Sequence, residues 1–367
     1  MIRILHIVPS TSHTSGIMTV LMNYYRKIDR TKFQFDFLSY KKPTNGHDEE
    51  IKALGGRCFI ISDPRDVLSF KKDVNNFCKE HYNEYSIIHL HMTFLYFAYK
   101  GMKKKLNAKA FVIHAHNTKF GNTKLTNIRN TIIFRLNPCN ADAYFACSKD
   151  AGTILFKKKY IDSGYFMYNI VDTNIYNKNY DKQEAKKELN LENNIVIGDA
   201  SNFTFQKNHL FIVDVFNEFL KIHPDARLLL VGNGMMFNKT QEKAKMLGIF
   251  DKTIFMGDRT DVERYYHAMD LFIQPSIFEG FCLSFVEAQA CLIPCVISDA
   301  LPEEANINKE HNKVISLEKN PEYWAKEIDE LINREKNCES KYLDMNKHFN
   351  ECVKDLENKY RSLIENK

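Results

Sequence analysis

The sequence predicts an α/β protein with two doubly wound domains, each built around a parallel sheet. Apolar runs of strand length alternate with polar stretches of helical length along most of the chain. The chain has 367 residues, which is more than one hydrophobic core usually supports. Its charge is also uneven, because residues 1–168 carry 26 Lys and Arg against 13 Asp and Glu, whereas residues 169–367 carry 25 against 33. We therefore predict one domain at 1–168 and a second that begins at 169.

Six apolar runs predict the strands of the first domain, and five polar stretches of helical length predict the helices between them. The strands are expected at residues 2–8, 33–39, 57–61, 86–91, 111–114 and 143–146. The helices are expected at residues 18–28, 49–54, 68–80, 95–105 and 125–137. The loop after the first strand is rich in hydroxyl side chains and contains Gly16. Because ligands of doubly wound sheets bind beyond the carboxyl ends of the strands, this loop is a candidate ligand contact, although it lacks the glycine pattern of an NAD site.

The second domain repeats the same alternation of strands and helices. Strands are expected at residues 195–200, 227–231, 253–256, 268–274 and 294–299, and a helix at 210–221. Lys207 lies between the first of these strands and that helix, where a cation would neutralise a diphosphate. Gly232 ends the second strand, and Arg259 lies in the loop after the third. The chain between the last two strands reads as a glycine turn followed by a helix.

That turn and helix carry two carboxylates, Glu279 and Glu287, which lie eight positions apart. Backbone N–H groups at the turn and the positive end of the helix suit an anionic ligand. Glu279 is expected beside that ligand, and Glu287 about two turns into the helix. A carboxylate does not bind a phosphate, but it accepts hydrogen bonds from hydroxyls. The pair therefore predicts a nucleotide sugar as ligand, and the alternative is a surface helix with two solvated glutamates.

The flanks of this pair carry a resemblance to a known family. The sequence runs through Ala268-Met-Asp270, Pro275-Ser276, Glu279-Gly-Phe281, Glu287-Ala288 and Pro294. It resembles the donor-binding segment of retaining glycosyltransferases of family 4, in the branch that builds bacterial exopolysaccharides and capsules. The resemblance implies the GT-B fold, in which two Rossmann-like domains face a central cleft. It further implies acceptor binding by residues 1–168, with the C-terminal helix at 344–367 packed back on that domain, and nucleotide-sugar binding by residues 169–343.

The resemblance also implies a reaction. A sugar is transferred with retention from a nucleoside-diphosphate sugar, expected to be a UDP-sugar, to a glycan or lipid-linked acceptor, without a metal ion or other cofactor. The catalytic residues that it implies are Glu279, Lys207 and His116, the last of which matches a histidine that contacts the donor sugar or the acceptor. The donor contacts that it implies are Gly16, Asn202, Lys207, Gly232, Arg259, Glu279, Gly280, Phe281, Cys282, Leu283 and Glu287.

The chain departs from the family pattern at several positions. Asn202, or alternatively Ser201, stands where the family supplies a second phosphate-binding cation, an arginine, and Arg259 is the candidate that would compensate. Cys282 and Leu292 each replace a glycine. The loss of the arginine leaves two alternatives open: a degenerate GT-B subunit that stabilises a partner without catalysis, and a nucleotide-sugar epimerase. The retained Glu279–Glu287 pair favours a transferase over both.

Histidines and cysteines give no metal-site pattern. His89 and His91 end one predicted strand, and His114 and His116 end the next, but their spacing fits no known zinc site. The nine cysteines include no C-x-x-C pair, and most lie in apolar runs, which is typical of a reduced cytoplasmic protein. We therefore expect no bound metal.

The basic first half indicates an anionic partner. No nucleic-acid-binding signature appears in the sequence, so an anionic membrane surface is the expected partner and nucleic acid is not. No apolar stretch approaches the length of a transmembrane helix, and the chain begins with a predicted strand rather than a signal peptide. The expected location is the cytoplasm, with peripheral attachment to the inner face of the cell membrane.

Overall fold

The computed structural model describes residues 1–121, 124–137, 139–176, 181–335 and 342–365. The chain forms two compact units, one made of Met1–Ile170 together with Lys347–Lys367 and the other of Val171–Asn346. The predicted domain limits at 168/169 and 343/344 lie within three residues of these boundaries. Each unit is an α/β domain with a parallel sheet, so the predicted fold class is confirmed.

The first domain contains a sheet of seven parallel strands in the order β3-β2-β1-β4-β5-β6-β7. The strands are β1 (Ile2–Ile7), β2 (Phe33–Ser39), β3 (Cys58–Ile60), β4 (Ile87–Leu90), β5 (Ala110–Ala115), β6 (Ala143–Ala146) and β7 (Tyr165–Phe166). The helices are α1 (Gly16–Lys27), α2 (Asp48–Ala53), α3 (Val67–Glu80), α4 (Tyr96–Tyr99), α5 (Met102–Leu106), α6 (Lys124–Leu136), α7 (Lys149–Phe156) and α8 (Lys158–Ser163).

Two details of this domain differ from the sequence prediction. The helix expected at 95–105 is interrupted at Gly101, and α4 and α5 form on either side of it, because glycine lowers the stability of a helix interior. Strand β7 was not predicted, since two residues are too short for a periodic pattern.

The second domain contains six parallel strands in the order β10-β9-β8-β11-β12-β13. The strands are β8 (Val196–Ala200), β9 (Arg227–Val231), β10 (Thr253–Gly257), β11 (Leu271–Gln274), β12 (Cys295–Ser298) and β13 (Asn312–Ile315). The helices are α9 (Thr173–Tyr176), α10 (Lys182–Glu188), α11 (His209–Ile222), α12 (Phe237–Met246), α13 (Val262–Ala268), α14 (Leu283–Ala290) and α15 (Pro321–Glu335). Strand β11 begins three residues later than predicted, because Ala268 still belongs to α13 and the Met269 N–H closes that helix on the Tyr266 carbonyl.

The strand order of the second domain determines where a ligand can bind. Starting at β8, the chain proceeds through β9 to β10 on one side of the sheet, and β11 returns to the other side of β8. The loops that leave β8 and β11 therefore turn in opposite directions at the same edge. In doubly wound sheets this switch point is the ligand-binding position. Lys207 follows β8 and Glu279 follows β11, so both predicted residues lie in the two loops that form it.

The last helix, α16 (Met345–Glu365), belongs to the first domain over most of its length. Its Tyr360 is fully buried, and the Tyr360 hydroxyl lies 2.8 Å from Nδ1 of His89 on β4. Its Glu357 accepts a hydrogen bond from the backbone N–H of Asp29 at 2.9 Å. Among the described residues, no helix combines the length and the apolar character that crossing a bilayer requires.

Candidate functional site

The candidate site is built from the loops after β8 and β11, which are bonded to each other. The Ile277 N–H donates to the Gln206 carbonyl at 2.8 Å, and Asn208 Nδ2 donates to the Pro275 carbonyl at 3.2 Å. Residues 201–208 and 275–282 are therefore positioned together at the switch point. Any ligand at this edge of the sheet would contact both loops.

Lys207 and Glu279 meet in this site as a buried ion pair. Lys207 Nζ lies 2.9 Å from Glu279 Oε1, with the two side chains 15% and 6% exposed. Ser276 Oγ donates to the same carboxylate oxygen at 2.8 Å and fixes its position. Burial would lower the pKa of Lys207, but the neighbouring Glu279 carboxylate outweighs it, so the pKa is raised. The Lys207 ammonium is thus charged and shielded from most of the solvent.

Cys282 is the N-cap residue of helix α14, immediately before its first residue, and lies beside Lys207. Its sulfur lies 3.4 Å from Lys207 Nζ, and burial raises the pKa of its thiol to about 11, so it is protonated at neutral pH. The backbone of Cys282 has φ 73°, in the left-handed region that favours glycine. A glycine would adopt this conformation without the strain that a side chain adds.

Helix α14 begins later than the sequence indicated, which changes the position of Glu287. The helix starts at Leu283, so Glu287 lies about one turn from its start rather than two. Tyr266 donates its hydroxyl to Glu287 Oε2 at 2.9 Å, and Tyr176 is a second hydrogen-bond partner. Burial raises the pKa of Glu287, and these tyrosine hydrogen bonds partly oppose that rise.

Gly232 brings the loops after β8 and β9 together. It has φ +124°, and a Cβ at this position would lie 2.3 Å from the Ser201 carbonyl oxygen, so no larger residue fits without moving the backbone. Its N–H donates to the Gly257 carbonyl at 2.8 Å, which joins the loop after β10 to the same edge. Asn202 follows Ser201 in this group of loops and is exposed.

The remaining predicted donor contacts of the second domain have different surroundings. Gly280 and Phe281 are buried and build the turn itself, and Leu283 is half-buried at the first position of α14. Arg259 is 40% exposed, pairs with Asp261 at 3.4 Å and lies over the Tyr265 ring. These contacts hold Arg259 in its own loop and helix, and within the described residues the structure does not join it to Lys207.

Gly16 and His116 belong to the first domain. Gly16 is exposed at the start of α1, where the Ser15 side chain accepts a hydrogen bond from the Met18 N–H. His116 follows β5, and its Nε2 lies 2.8 Å from Nδ1 of His91. Burial lowers the pKa of His116 to about 3, so its imidazole is neutral at physiological pH.

Sequence reasoning missed three side chains that hold the two glutamates. Ser276 bonds Glu279, and Tyr176 and Tyr266 bond Glu287. Ser276 belongs to the matching motif, but nothing in the sequence links it to Glu279. Tyr176 lies in a polar stretch rich in Asn and Lys, and Tyr266 has charged neighbours, so no local pattern marks either tyrosine. Both tyrosines are buried, and only their hydroxyl contacts distinguish them from packing residues.

The chain is similar to known proteins over most of its length. Residues 181–347 match the family described as "Glycosyl transferases group 1". A Bacillus subtilis (strain 168) protein named "Putative glycosyltransferase EpsF" is 30% identical over 335 residues, which are 89% of this chain and 86% of that protein. An Escherichia coli protein, UDP-Gal:alpha-D-GlcNAc-diphosphoundecaprenol alpha-1,3-galactosyltransferase, is 22% identical over 303 residues, 78% of this chain and 76% of its own length.

Solved structures extend the likeness over the whole chain. Sucrose-phosphate synthase from Thermosynechococcus elongatus has a TM-score of 0.78 at 15% identity and covers 100% of both chains. Anabaena Alr3699/HepE, solved in complex with UDP and glucose, has a TM-score of 0.74 at 16% identity and covers 100% of this chain and 98% of its own. These matches confirm the predicted GT-B fold. Together with the full-length relative, they show that this chain is an enzyme that belongs to the group 1 glycosyltransferases.

Proposed function

We propose that this enzyme transfers a sugar from a UDP-sugar to a glycan or lipid-linked acceptor during bacterial surface polysaccharide synthesis. The observation that carries the proposal is the buried Lys207–Glu279 pair at the switch point of the second domain. A cation and a hydroxyl acceptor, side by side, match the two chemical parts of a nucleotide sugar. The relatives support the class of product, since one is named as a Vi polysaccharide biosynthesis protein. The solved complexes of Alr3699/HepE with UDP-glucose support the class of donor.

The pair suggests how the donor would be received. In the free protein Lys207 and Glu279 neutralise each other. A diphosphate competes with Glu279 for the ammonium, because it carries more negative charge and accepts more hydrogen bonds. Glu279, released from Lys207 but still held by Ser276, would then accept hydrogen bonds from the hydroxyls of the donor sugar. Each half of the pair thus exchanges one partner for another when the donor binds.

Departure of the diphosphate would be stabilised by positive groups that the site already holds. Lys207 supplies a full charge, and the N-terminus of α14 supplies backbone N–H groups and the positive end of the helix dipole. These groups replace the metal ion that other glycosyltransferase architectures use, so we propose metal-independent transfer. The mechanism implied is a front-face transfer with retention, as in family 4, in which the leaving diphosphate accepts the proton of the acceptor hydroxyl.

Glu287 is proposed to hold the ribose of the donor. Its Oε2 already accepts from Tyr266, and a carboxylate offers about four lone-pair sites, so it can accept ribose hydroxyls as well. The tyrosine contacts set the orientation of the carboxylate before the donor arrives. His116, in the first domain, is proposed to contact the sugar or the acceptor through a neutral imidazole.

Peripheral attachment to the cytoplasmic face of the membrane is proposed from helix α6 of the basic first domain. Leu125, Ile128, Ile132 and Leu136 on this helix are 81%, 58%, 52% and 76% exposed. Their spacing places all four on one side of the helix, and exposed arginines at 129 and 135 lie next to them in the sequence. An apolar face beside cations is typical of a helix that lies on an anionic lipid surface.

The transfer proposal is tested by incubating the protein with a panel of nucleotide sugars and measuring release of nucleoside diphosphate. Release from a UDP-sugar, with loss of activity in Lys207→Met and full activity in the exposed control Lys221→Met, supports the proposal. A new sugar isomer without release would indicate an epimerase, and no reaction with any donor would indicate a non-catalytic subunit; either result overturns it. NMR of the product anomer decides retention, and unchanged activity with EDTA decides metal independence.

Membrane attachment is tested by sedimentation with vesicles of phosphatidylglycerol and, separately, of phosphatidylcholine. Binding to the anionic vesicles only, with loss in Ile128→Glu, is the expected result. The matched control is Ile222→Glu, which introduces the same charge at a 43% exposed isoleucine of α11 in the second domain. Equal sedimentation of all three proteins, or none, would remove α6 from the proposal.

A further inference from the structure

Five histidines converge at the carboxyl ends of three neighbouring strands of the first domain. His6 lies on β1, His89 and His91 at the end of β4, and His114 and His116 at the end of β5. His6 and His89 are partners in the β1–β4 register, and residues two apart on a strand point to the same face. We name these five residues the histidine cluster. Four of them are at most 4% exposed, and His116 is half-buried.

Several ring nitrogens of the histidine cluster contact only another histidine or have no hydrogen-bond partner. His6 Nδ1 lies 2.9 Å from His91 Nε2, and His91 Nδ1 lies 2.8 Å from His116 Nε2. The His114 side chain is fully inaccessible to solvent, and neither of its ring nitrogens has a hydrogen-bond partner among the described residues. A buried polar atom left unpaired costs about 1–3 kcal/mol. A core that needed only shape and volume at this position would be better served by an apolar ring.

We propose that His91, His114 and His116 bind one divalent transition-metal ion, with Zn²⁺ the best match. One ligand nitrogen from each of these residues lies within 4.8 Å of the others. Tetrahedral coordination with bonds of about 2.0–2.1 Å needs nitrogens roughly 3.3 Å apart, so small ring rotations are enough. Three imidazoles and no carboxylate suit zinc, copper or nickel, and they do not suit magnesium or calcium.

The surroundings of the three ligands support this assignment. The His91 ring is oriented by the hydrogen bond between its Nε2 and His6, which leaves Nδ1 towards His116. A second hydrogen bond of this kind is the usual means by which a metal-ligating imidazole is oriented. His116 is half-buried, so an ion can reach the site and a water molecule can complete its coordination.

A second triad of the same cluster, His6, His89 and His91, also meets the distance requirement. It is the weaker candidate, because His6 and His89 are fully buried and Nδ1 of His89 is already bonded to Tyr360. Spacing along the chain conceals both triads, since their members come from different strands. The sequence expectation of no metal was based on that spacing, and the proposal revises it for the first domain without routing any step of sugar transfer through the ion.

The test is zinc binding by the full chain in the absence of donor and acceptor. The protein is freed of metal with EDTA, dialysed and titrated with Zn²⁺ in competition with a chromophoric chelator. We expect one ion per chain, and a loss of affinity of at least about 100-fold in His114→Asn and in His116→Asn. Affinity should be unchanged in His89→Asn and in the exposed control His13→Asn. Replacement by Co²⁺ should give the visible absorption of a tetrahedral site.

Each remaining outcome overturns the assignment. Absence of stoichiometric binding would show that the cluster is a packed core, and unchanged affinity in both His114→Asn and His116→Asn would exclude the proposed ligands. Loss in His89→Asn but not in His114→Asn would move the ion to the second triad. Circular dichroism of each variant shows whether it is folded. If substitution of His114 disrupts the core, zinc affinity of the His116→Asn variant still tests the assignment, because His116 is only half-buried. Because no nucleotide sugar is present, the result is independent of the proposed transfer.

Discussion

Replacing Glu279 with glutamine should strengthen nucleoside-diphosphate binding and weaken catalysis at the same time. In the free protein the Glu279 carboxylate is paired with the ammonium of Lys207, the residue proposed to bind the diphosphate. Glutamine keeps the size of the side chain and an oxygen for the Ser276 hydrogen bond, but it removes the competing charge. It also weakens the proposed contact with the donor sugar, because a neutral acceptor forms weaker hydrogen bonds than a carboxylate.

The size of the effect follows from the geometry of the pair. Two unit charges 2.9 Å apart attract by about 6 kcal/mol at an effective dielectric constant of 20, before the cost of their desolvation is subtracted. Most of that attraction is offset, since hydrogen bonds to charged groups contribute about 1.5–3 kcal/mol net. Releasing Lys207 from this competition should therefore tighten UDP binding about tenfold, which corresponds to about 1.4 kcal/mol. Turnover should fall at least about tenfold for loss of one charged contact in the transition state.

The assay is calorimetric titration with UDP together with steady-state kinetics on the best donor from the panel. The control is Glu318→Gln, which makes the same chemical change at an exposed residue of the second domain and should alter neither quantity. Lys207→Met provides the opposite arm, because it should weaken UDP binding and lower turnover together.

Weaker or unchanged UDP affinity in Glu279→Gln would refute the reasoning, since it would mean that the carboxylate does not compete with the diphosphate for Lys207. Removing the charge of either member of a buried ion pair leaves the other charge uncompensated and costs about 3–5 kcal/mol of stability. This cost applies to Glu279→Gln and to Lys207→Met, so circular dichroism and thermal melting of each variant are measured first. Binding and turnover are compared only for variants that are folded at the assay temperature.

Three further predictions follow from individual residues. Asn202→Arg should tighten UDP binding by about 1 kcal/mol in calorimetry, with a smaller gain at high salt, and a flat response together with a large loss in Arg259→Ala would show that Arg259 already supplies the second cation. Leu292 has a strained φ of 59° and half of its surface is exposed. Leu292→Gly should therefore raise the free energy of unfolding by about 0.5–1 kcal/mol in a denaturant titration, whereas Leu292→Ala, which keeps the strain, should give no gain. Because the folded state binds the Glu287 proton more tightly than the unfolded state, stability falls as pH rises through the ordinary carboxyl pKa of about 4.5. Glu287→Gln should therefore melt higher than the natural protein at pH 7 but not below about pH 4, and the exposed control Glu330→Gln should show no such difference.

Sequence periodicity predicted the parts of the fold that depend on burial. The central strands β1, β2, β8 and β9 are rich in apolar residues and largely buried in parallel sheets, and they lie where the pattern indicated. The short strand β7, the helices α7 and α8, and the strand β13 were not predicted. Their patterns are too short or too polar, and they form because neighbouring elements cover them.

The candidate site was predicted in part for a different reason. Lys207 and Glu279 were recognised because each leaves a strand at the edge where ligands bind, which is a property that the sequence displays. Their direct contact was not predicted, since no local pattern relates residues 72 positions apart. The same limitation hid the histidine cluster, whose members are adjacent only after the strands pair.

The two replaced glycines show what a single departure from a family pattern means physically. Cys282 and Leu292 both have positive φ, at 73° and 59°, a backbone region that glycine adopts without strain, so this chain accepts the strain that a side chain adds. The backbone at Cys282 matters more, because it sets the direction of the first N–H groups of α14. Strain retained at a ligand-binding turn indicates that the geometry is still needed.

The missing arginine and the Lys207–Glu279 pair together suggest how donor binding is made selective for a sugar nucleotide. Asn202 supplies no charge. Lys207, in the loop after β8, lies beside a carboxylate of the loop after β11, and this carboxylate, Glu279, neutralises it. A nucleoside diphosphate alone must separate this pair and leaves the buried carboxylate with the Ser276 hydrogen bond but without a cation, which is costly. A nucleotide sugar separates the same pair but gives Glu279 hydroxyl donors in return. The donor should therefore bind more tightly than its diphosphate product, and this difference favours release of the product after each transfer. Glu279→Gln should abolish the preference for the donor.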